Sequence, residues 1–295
     1  YGRTILRELP RADVIHIRAP ANIALVAMVL LAFVRHPQRR WIKYAGNWKP
    51  FGPEAKSYTF QRWWLTRNFS RSPVTVNGEW PDMPPHVRTF FNPCLTAEEL
   101  AAGRAAAADK TLVEPIRLLF VGRLDSAKGA DRVLSIAAEL RRADIRFVLE
   151  MIGDGPEKAN LRQLTRQLGI DDSVHFYGWL PRQGLNEHYC RSHFVLLPSK
   201  SSEGWPKVLS EAMVYGAVPL SSTVSSIPQD LAKFETGRVC DPEDVEGFAT
   251  AVREYVGNPE TWKTESENSV RAAKYFSYDE YLRAVEELIG APRPA

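Results

Sequence analysis

Ser199-Lys200-Ser201-Ser202-Glu203-Gly204-Trp205-Pro206-Lys207-Val208-Leu209-Ser210-Glu211 is the stretch on which the reading of this chain turns. An apolar run, Phe194 to Leu197, enters it, and an amphipathic segment, Val208 to Tyr215, leaves it. That pattern is a buried strand, a small polar loop and a helix start. Open α/β sheets bind ligands beyond the carboxyl ends of their strands, which is where Glu203 falls. Pro206 suits the first helical position, because its missing N–H would have no partner there anyway. The N–H groups just beyond it form an anion site, and Glu211, about a turn further on, can look back at it. An anion cradle between two carboxylates fits a phosphate flanked by hydroxyl-rich groups, the layout of a sugar nucleotide.

Outward from this stretch the chain alternates regularly. Strands are expected at 116–121, 147–152, 174–177, 194–197, 218–221 and 238–240, with amphipathic helices between them. Such alternation builds a parallel sheet with helices on both faces. Upstream, 13–17, 41–44 and 73–76 read as three strands, separated by helices over 21–34 and 57–69, with a Pro- and Gly-rich loop over 77–85. Three strands are about half of what a Rossmann-like domain holds. The chain also opens on Tyr1-Gly2-Arg3-Thr4 with no initiator Met, so the first domain is expected to be truncated. The division is then 1–92, a partial N-terminal domain; 93–275, a second domain entered by a linker running from Asn92 through Ala101–Ala108; and 276–295, a helix crossing back to the first domain.

The chain has 295 residues, 44% of them hydrophobic and 25% charged, as in an ordinary soluble globular protein. A net charge of +3 argues against a dedicated nucleic-acid binder. The three cysteines, Cys94, Cys190 and Cys240, are far apart and odd in number, which points to a reducing cytoplasm. The longest apolar run, Ala21 to Val34, is shorter than the ~20 residues a bilayer-spanning helix needs. Trp63 and Trp64, near Arg62 and Arg67, read first as core and second as a peripheral contact with a membrane carrying the acceptor.

Phe120-Val121-Gly122-Arg123-Leu124-Asp125-Ser126-Ala127-Lys128-Gly129 ends the first strand of the second domain. Gly122 allows close backbone approach, Arg123 offers a planar fork for phosphate oxygens, and Lys128 adds a point charge. Gly153-Asp154-Gly155-Pro156 starts like a dinucleotide fingerprint, but Lys158 occupies the third glycine position, so it reads as a structural turn. Gly178-Trp179-Leu180 follows the third strand; its backbone could hold a base, and Trp179 could equally be a packing residue. His16 is placed just after a strand, where a role as a base is conceivable and a structural role more ordinary. His175, His188 and His193 read as packing or surface residues. No His, Cys or carboxylate cluster has metal-ligand spacing and no Asp-x-Asp pair occurs. Charge on a leaving diphosphate is therefore expected to be met by Arg123, Lys128 and a helix N-terminus, with no metal and no cofactor.

With these residues in view, the chain from about Ile116 onward resembles the retaining glycosyltransferases of the GT4 family, whose GT-B architecture sets two Rossmann-like domains face to face. The resemblance is carried by residues 121–129, by 153–156, by Val174-His175-Phe176-Tyr177-Gly178-Trp179-Leu180, by Leu197-Pro198-Ser199, and by Glu203 and Glu211 with seven residues between them. It implies an α/β fold of GT-B type, with 1–92 as the acceptor-side domain and 93–275 as the donor domain. It also implies a hexosyltransferase taking a UDP- or GDP-sugar and passing the sugar, with retention, to a glycan or lipid-linked acceptor. Arg123, Lys128 and Glu203 are the catalytic set it implies, with Glu203 on the sugar hydroxyls and Glu211 on the ribose. Gly122, Gly178, Trp179, Leu180, Ser199, Gly204, Trp205, Pro206, Val208 and Leu209 are expected to line the donor. The sequence departs from the family at Ala45, which stands where members usually carry a His. A donor-binding chain without turnover, and a sugar-nucleotide epimerase of the same architecture, stand as alternative readings. The expected place of action is the cytoplasm, with the inner face of the membrane as a second reading.

Overall fold

The structure, a computed structural model, describes residues 1–50, 54–201 and 204–290. These pack as two units. Unit 1 takes the described residues of 1–92 together with 204–205 and 279–290; unit 2 takes 93–201 and 206–278.

Unit 1 runs α1 (Gly2–Glu8), β1 (Val14–Ala19), α2 (Asn22–Phe33), β2 (Arg39–Tyr44), α3 (Lys56–Thr66), β3 (Val74–Val76) and β4 (Val87–Thr89). The four strands form one parallel sheet in the order β1-β2-β3-β4. Alternation along the strands turns Ile17, Ala19, Ile42, Tyr44, Val74 and Val76 towards Met28 and Leu31 of α2 and Leu65 of α3, which close a core. The pattern predicts three strands; the fourth escapes it because it has three residues and buries only Val87. His16 lies in the middle of β1 rather than beyond its end, with its ring stacked on Trp41 at 4.0 Å.

Unit 2 runs α4 (Ala97–Ala107), β5 (Ile116–Val121), α5 (Ala130–Arg142), β6 (Phe147–Ile152), α6 (Lys158–Gln167), β7 (Val174–Gly178), α7 (Arg182–Arg191) and β8 (Phe194–Leu197). It continues with α8 (Lys207–Met213), β9 (Val218–Ser222), α9 (Ile227–Lys233), β10 (Arg238–Cys240), α10 (Val245–Gly257) and α11 (Pro259–Ala273). A last helix, α12 (Tyr278–Ile289), joins unit 1 from Asp279 onward, where its Tyr281 ring meets Trp41 and Phe90 at 6.1 and 5.4 Å. All six strands of unit 2 are parallel, in the order β10-β9-β8-β5-β6-β7. Strands covered on both faces read as continuous apolar runs, and Phe194-Val195-Leu196-Leu197 is fully buried accordingly. Glu150 breaks the run in β6. It is buried and held by the His188 ring at 2.8 Å and the Tyr177 hydroxyl at 3.2 Å.

The expected linker through Ala101–Ala108 is instead the helix α4. Thr96 and Glu99 form a capping box: the Thr96 hydroxyl accepts from the Glu99 N–H at 3.2 Å, and the Glu99 carboxylate accepts from the Thr96 N–H at 2.8 Å. That Thr-x-x-Glu spacing is the signal the composition concealed. Beyond α4, the Lys110 ammonium donates to the carbonyls of Tyr189, Ser192 and Tyr215 at 3.2, 2.8 and 2.6 Å. One amine thus ties together the carbonyl-rich ends of both α7 and α8, and burial lowers its pKa to about 7.

Candidate functional site

The strand order of unit 2 reverses at β5. The chain goes from β5 to β6 and β7 on one side, then returns to β8, β9 and β10 on the other. The carboxyl ends of β5 and β8 therefore flank the topological switch point, the position at which such sheets take ligands. From these two ends come the two loops singled out in the sequence, 122–129 and 198–206.

The loops are fastened to each other. The Lys200 N–H donates to the Ala127 carbonyl at 2.9 Å, and the Ser199 and Ser201 hydroxyls donate to the same oxygen at 3.3 Å. Arg132, in the first turn of α5, reaches across from below. Its Nε and Nη2 donate to the Pro198 carbonyl at 3.0 and 2.8 Å, and Nη2 also donates to the Ser126 carbonyl at 2.8 Å. Its side chain is 8% exposed. Gly129 caps α5 in the left-handed conformation, φ 82°, and a side chain there would run into the Pro198 carbonyl.

Within the first loop, Asp125 is the organiser. One carboxylate oxygen accepts from the Lys128 N–H at 2.9 Å, and the other pairs with Arg123 Nε at 3.1 Å. The Arg123 side chain is 67% exposed, so its fork is open to solvent on the remaining nitrogens. Gly122 donates to the Ile152 carbonyl at 3.0 Å and continues the β5–β6 ladder by one residue. Gly153, φ 138°, brings its α-carbon against the Gly122 carbonyl, where any side chain would overlap that oxygen. The Gly153–Pro156 turn is thus the floor of the Gly122–Lys128 loop, in keeping with its structural reading.

Pro206 is the N-cap of α8 rather than its first residue, one position earlier than its sequence pattern predicts. Val208 is half-buried; Leu209 is fully buried, and its N–H donates to the Pro206 carbonyl at 3.1 Å. Ser199 is fully buried too, and its carbonyl accepts from the Ser222 hydroxyl at 2.5 Å. Both residues shape the loop from behind. Gly204 and the buried Trp205 pack with unit 1, the Gly204 α-carbon lying against the Asn77 amide and the Ala45 carbonyl. Glu203 lies outside the described residues.

Glu211 is held in place by two partners the sequence reading did not single out. Its Oε1 accepts from Arg182 Nη1 at 2.9 Å, and its Oε2 accepts from the Tyr189 hydroxyl at 2.9 Å. Arg182 is itself braced by a forked pair with Glu99, at 2.8 and 3.1 Å, and by the Cys94 carbonyl. Burial, reinforced by the Glu211 charge, raises the Tyr189 phenol well above its ordinary value, so it stays a donor. The same two causes push the Cys94 thiol up to about 12, which keeps it unreactive. A carboxylate has about four lone-pair positions, so Glu211 keeps two acceptor sites while its orientation is set. Gly178 closes β7 at φ 76°, Leu180 is half-buried, and Trp179 is 73% exposed, which removes the packing reading of that ring.

His188 and His193 are structural. His193 accepts from the Arg117 N–H at 3.1 Å through Nδ1, and burial, with Lys110 and Arg117 nearby, lowers its pKa to about 4. Among the described residues, no three His, Cys, Asp or Glu side chains come together as a metal ion would need.

The profile described as Glycosyl transferases group 1 matches residues 106–274, more than half of the chain, and the protein belongs to that family. Among curated proteins, the D-inositol 3-phosphate glycosyltransferase of Kribbella flavida is 29% identical over 201 residues, 64% of this chain and 47% of that protein. The lipopolysaccharide 1,6-galactosyltransferase of Escherichia coli is 28% identical over 173 residues, 58% of this chain and 46% of that protein. The chain thus spans about half the length of these relatives. Among solved structures, Anabaena Alr3699/HepE in complex with UDP superposes with a TM-score of 0.75 at 16% identity, covering 99% of this chain and 82% of that one. Sucrose-phosphate synthase from Thermosynechococcus elongatus gives 0.67 at 18% identity, covering 97% and 78%. These likenesses establish the fold, an α/β architecture of GT-B type.

Proposed function

We propose that this chain is a retaining glycosyltransferase of GT4 type that moves a hexose from a UDP- or GDP-sugar to a glycan or lipid-linked acceptor. Unit 2 binds the donor and unit 1 serves the acceptor. The observation that carries the reading is the fastening of the β5 and β8 loops at the switch point. It sets the exposed Arg123 fork and Lys128 on the loop that borders Pro198–Ser201. Arg123 and Lys128 neutralise the donor diphosphate and the charge that develops on it as the sugar leaves, with no metal and no cofactor. Gly122 admits the diphosphate close to the backbone. Glu203 orients the sugar hydroxyls, with the Gly204 and Trp205 backbone and the Pro206–Leu209 helix start completing that side. Glu211, already oriented by Arg182 and Tyr189, receives the two ribose hydroxyls on its free acceptor sites. Gly178, Trp179 and Leu180 offer backbone groups and an open aromatic face to the base. Of the relatives named above, the one named for lipopolysaccharide supports a glycan or lipid-linked acceptor, whereas the one named for an inositol phosphate points to a small polyol phosphate. Three free cysteines accord with action in the cytoplasm.

Titration of UDP, GDP and their sugars against wild type and Arg123→Ala tests this. Loss of charge-assisted hydrogen bonds to phosphate weakens binding by about 10- to 100-fold. Thermal stability stays unchanged, because the side chain is exposed and has one surface pair. Equal donor affinity in the two proteins removes the diphosphate site. Donor binding with no sugar transferred to any acceptor supports the donor-binding reading instead.

A further inference from the structure

Unit 1 carries an unusual outer surface. Helices α2 and α3 lie side by side on one face of its sheet. The fully buried Gln61 of α3 accepts from the Ala21 N–H at the start of α2 at 3.2 Å. The Ser70 hydroxyl, just past α3, donates to the Met28 carbonyl of α2 at 2.9 Å, and Arg40 donates to the carbonyls of both Leu31 and Ser70. With their inner sides occupied by the core, these helices still turn large apolar groups outward. Phe33 is 82% exposed and Ile23 50%, while Phe60, Trp63 and Phe69 are each more than 40% exposed. Three of the rings are contiguous, those on and just beyond α3: Trp63 stands 5.5 Å from both Phe60 and Phe69. A continuous exposed cluster of this kind marks an interaction surface, whereas scattered apolar residues would not.

The charge of this part of the chain is predominantly positive. Residues 1–92 hold 14 Lys and Arg against 5 Asp and Glu, a net +9, and the remaining residues hold 24 against 30. Arg35, Arg67 and Arg71 are exposed immediately beyond Phe33 and on either side of Phe69. Helix α2 has no charged residue at all.

We propose that the α2–α3 face of unit 1 is a peripheral membrane-docking surface for a bilayer carrying anionic phospholipids. Exposed aromatics settle at the headgroup level, the uncharged flank of α2 meets the acyl boundary, and the arginines meet lipid phosphates. A second copy of the chain is the poorer occupant, since a two-fold contact would set this basic surface against itself. A single-stranded nucleic acid would use the arginines and rings but leave Ile23 and Phe33 without a partner. Docking here requires neither donor nor turnover, so it stands or falls separately from the transfer reaction.

Flotation of the 295-residue chain with vesicles tests the proposal, comparing phosphatidylglycerol/phosphatidylcholine mixtures with pure phosphatidylcholine, in the absence of any sugar nucleotide. Binding to the anionic vesicles is expected to exceed binding to the neutral ones and to fall steeply with salt. The triple variant Arg35→Gln, Arg67→Gln, Arg71→Gln is expected to lose it by about 100-fold, from about fivefold per arginine removed. Phe33→Ser, at an 82% exposed position, is expected to weaken partitioning strongly while unfolding at the wild-type temperature, and Trp63→Ser to weaken it likewise with a lower unfolding temperature, since its ring packs on Phe60 and Phe69. Quenching of tryptophan fluorescence by brominated lipid in the wild type, reduced in the Trp63 variant, places the ring at the interface. Equal binding to both vesicle types, no vesicle binding beside tight binding of a single-stranded oligonucleotide, or self-association without vesicle binding would each overturn the proposal.

Discussion

Arg132→Met tests whether the two donor loops are one mechanical unit. The guanidinium donates to the Pro198 carbonyl through two nitrogens, at 3.0 and 2.8 Å, and to the Ser126 carbonyl at 2.8 Å. Its side chain is 8% exposed, so water cannot replace it easily. Hydrogen bonds to a charged group contribute about 1.5–3 kcal/mol each, and leaving buried carbonyls unpaired costs about the same. The carboxylates of Asp131 and Glu243 stand further off, at 3.7 and 3.8 Å, and are 41% and 60% exposed, so solvent screens them and they add little. Methionine refills part of the space the arginine stem covers. The net loss is about 3–4 kcal/mol for the two acceptors, or a fall in Tm of about 6–16 °C for a unit of this size. Calorimetry reads the stability and UDP titration reads the site; donor affinity should fall as the β5 and β8 loops separate. Arg132→Lys keeps the charge but cannot fork to both carbonyls, so it should recover less than half of the loss. A methionine variant with wild-type Tm and wild-type UDP affinity would refute the reasoning.

Three further outcomes follow from the same geometry. Arg182→Gln frees the Glu211 carboxylate from its pair and should weaken UDP by about three- to tenfold, through loss of roughly 1 kcal/mol of orientation at a part-exposed pair; titration reads it, and unchanged affinity would mean that Glu211 needs no brace. Thr96→Ala removes the α4 capping hydroxyl and should cost about 1 kcal/mol, or about 2–4 °C in Tm, whereas Thr96→Ser should not. The His193 ring has its folded pKa lowered from 6.5 to about 4, so the unfolded chain binds the proton first. Its contribution, of order 3 kcal/mol, is fully present above about pH 6.5 and is lost as pH falls towards 4. Denaturant melts across that window should show it, and His193→Asn, whose amide oxygen can accept from the Arg117 N–H without titrating, should flatten it.

Much of unit 2 is legible in the sequence, because strands buried on both faces must be continuous apolar runs and the helices between them must be amphipathic. The six strands, the polar loop entered from Phe194–Leu197 and the Gly122–Lys128 loop can all be read from local order. Elements that local order conceals are those whose stability comes from elsewhere. Three-residue β4 exists because β3 pairs with it, and α4 depends on a two-residue cap within an alanine-rich stretch that resembles a linker. The predicted first-turn position of Pro206 missed by one residue, since helix ends are set by tertiary contacts as much as by φ preference.

What the sequence by itself determined is the chemistry on offer: two cations after one strand, a pair of glutamates around another, and the glycines between them. What only the tertiary structure decided is which of these groups are held together and by what. Strand order put the β5 and β8 loops next to each other, and Arg132, a lone cation on an otherwise apolar helix face, joined them across 66 residues of sequence. Glu211 acquired Arg182 and Tyr189 from a helix preceding it in the chain, because α7 and α8 pack together. Those partners are separated in sequence by distances that no periodicity encodes. They meet because a parallel sheet returns every strand to the same edge, and with it every loop that the strands carry.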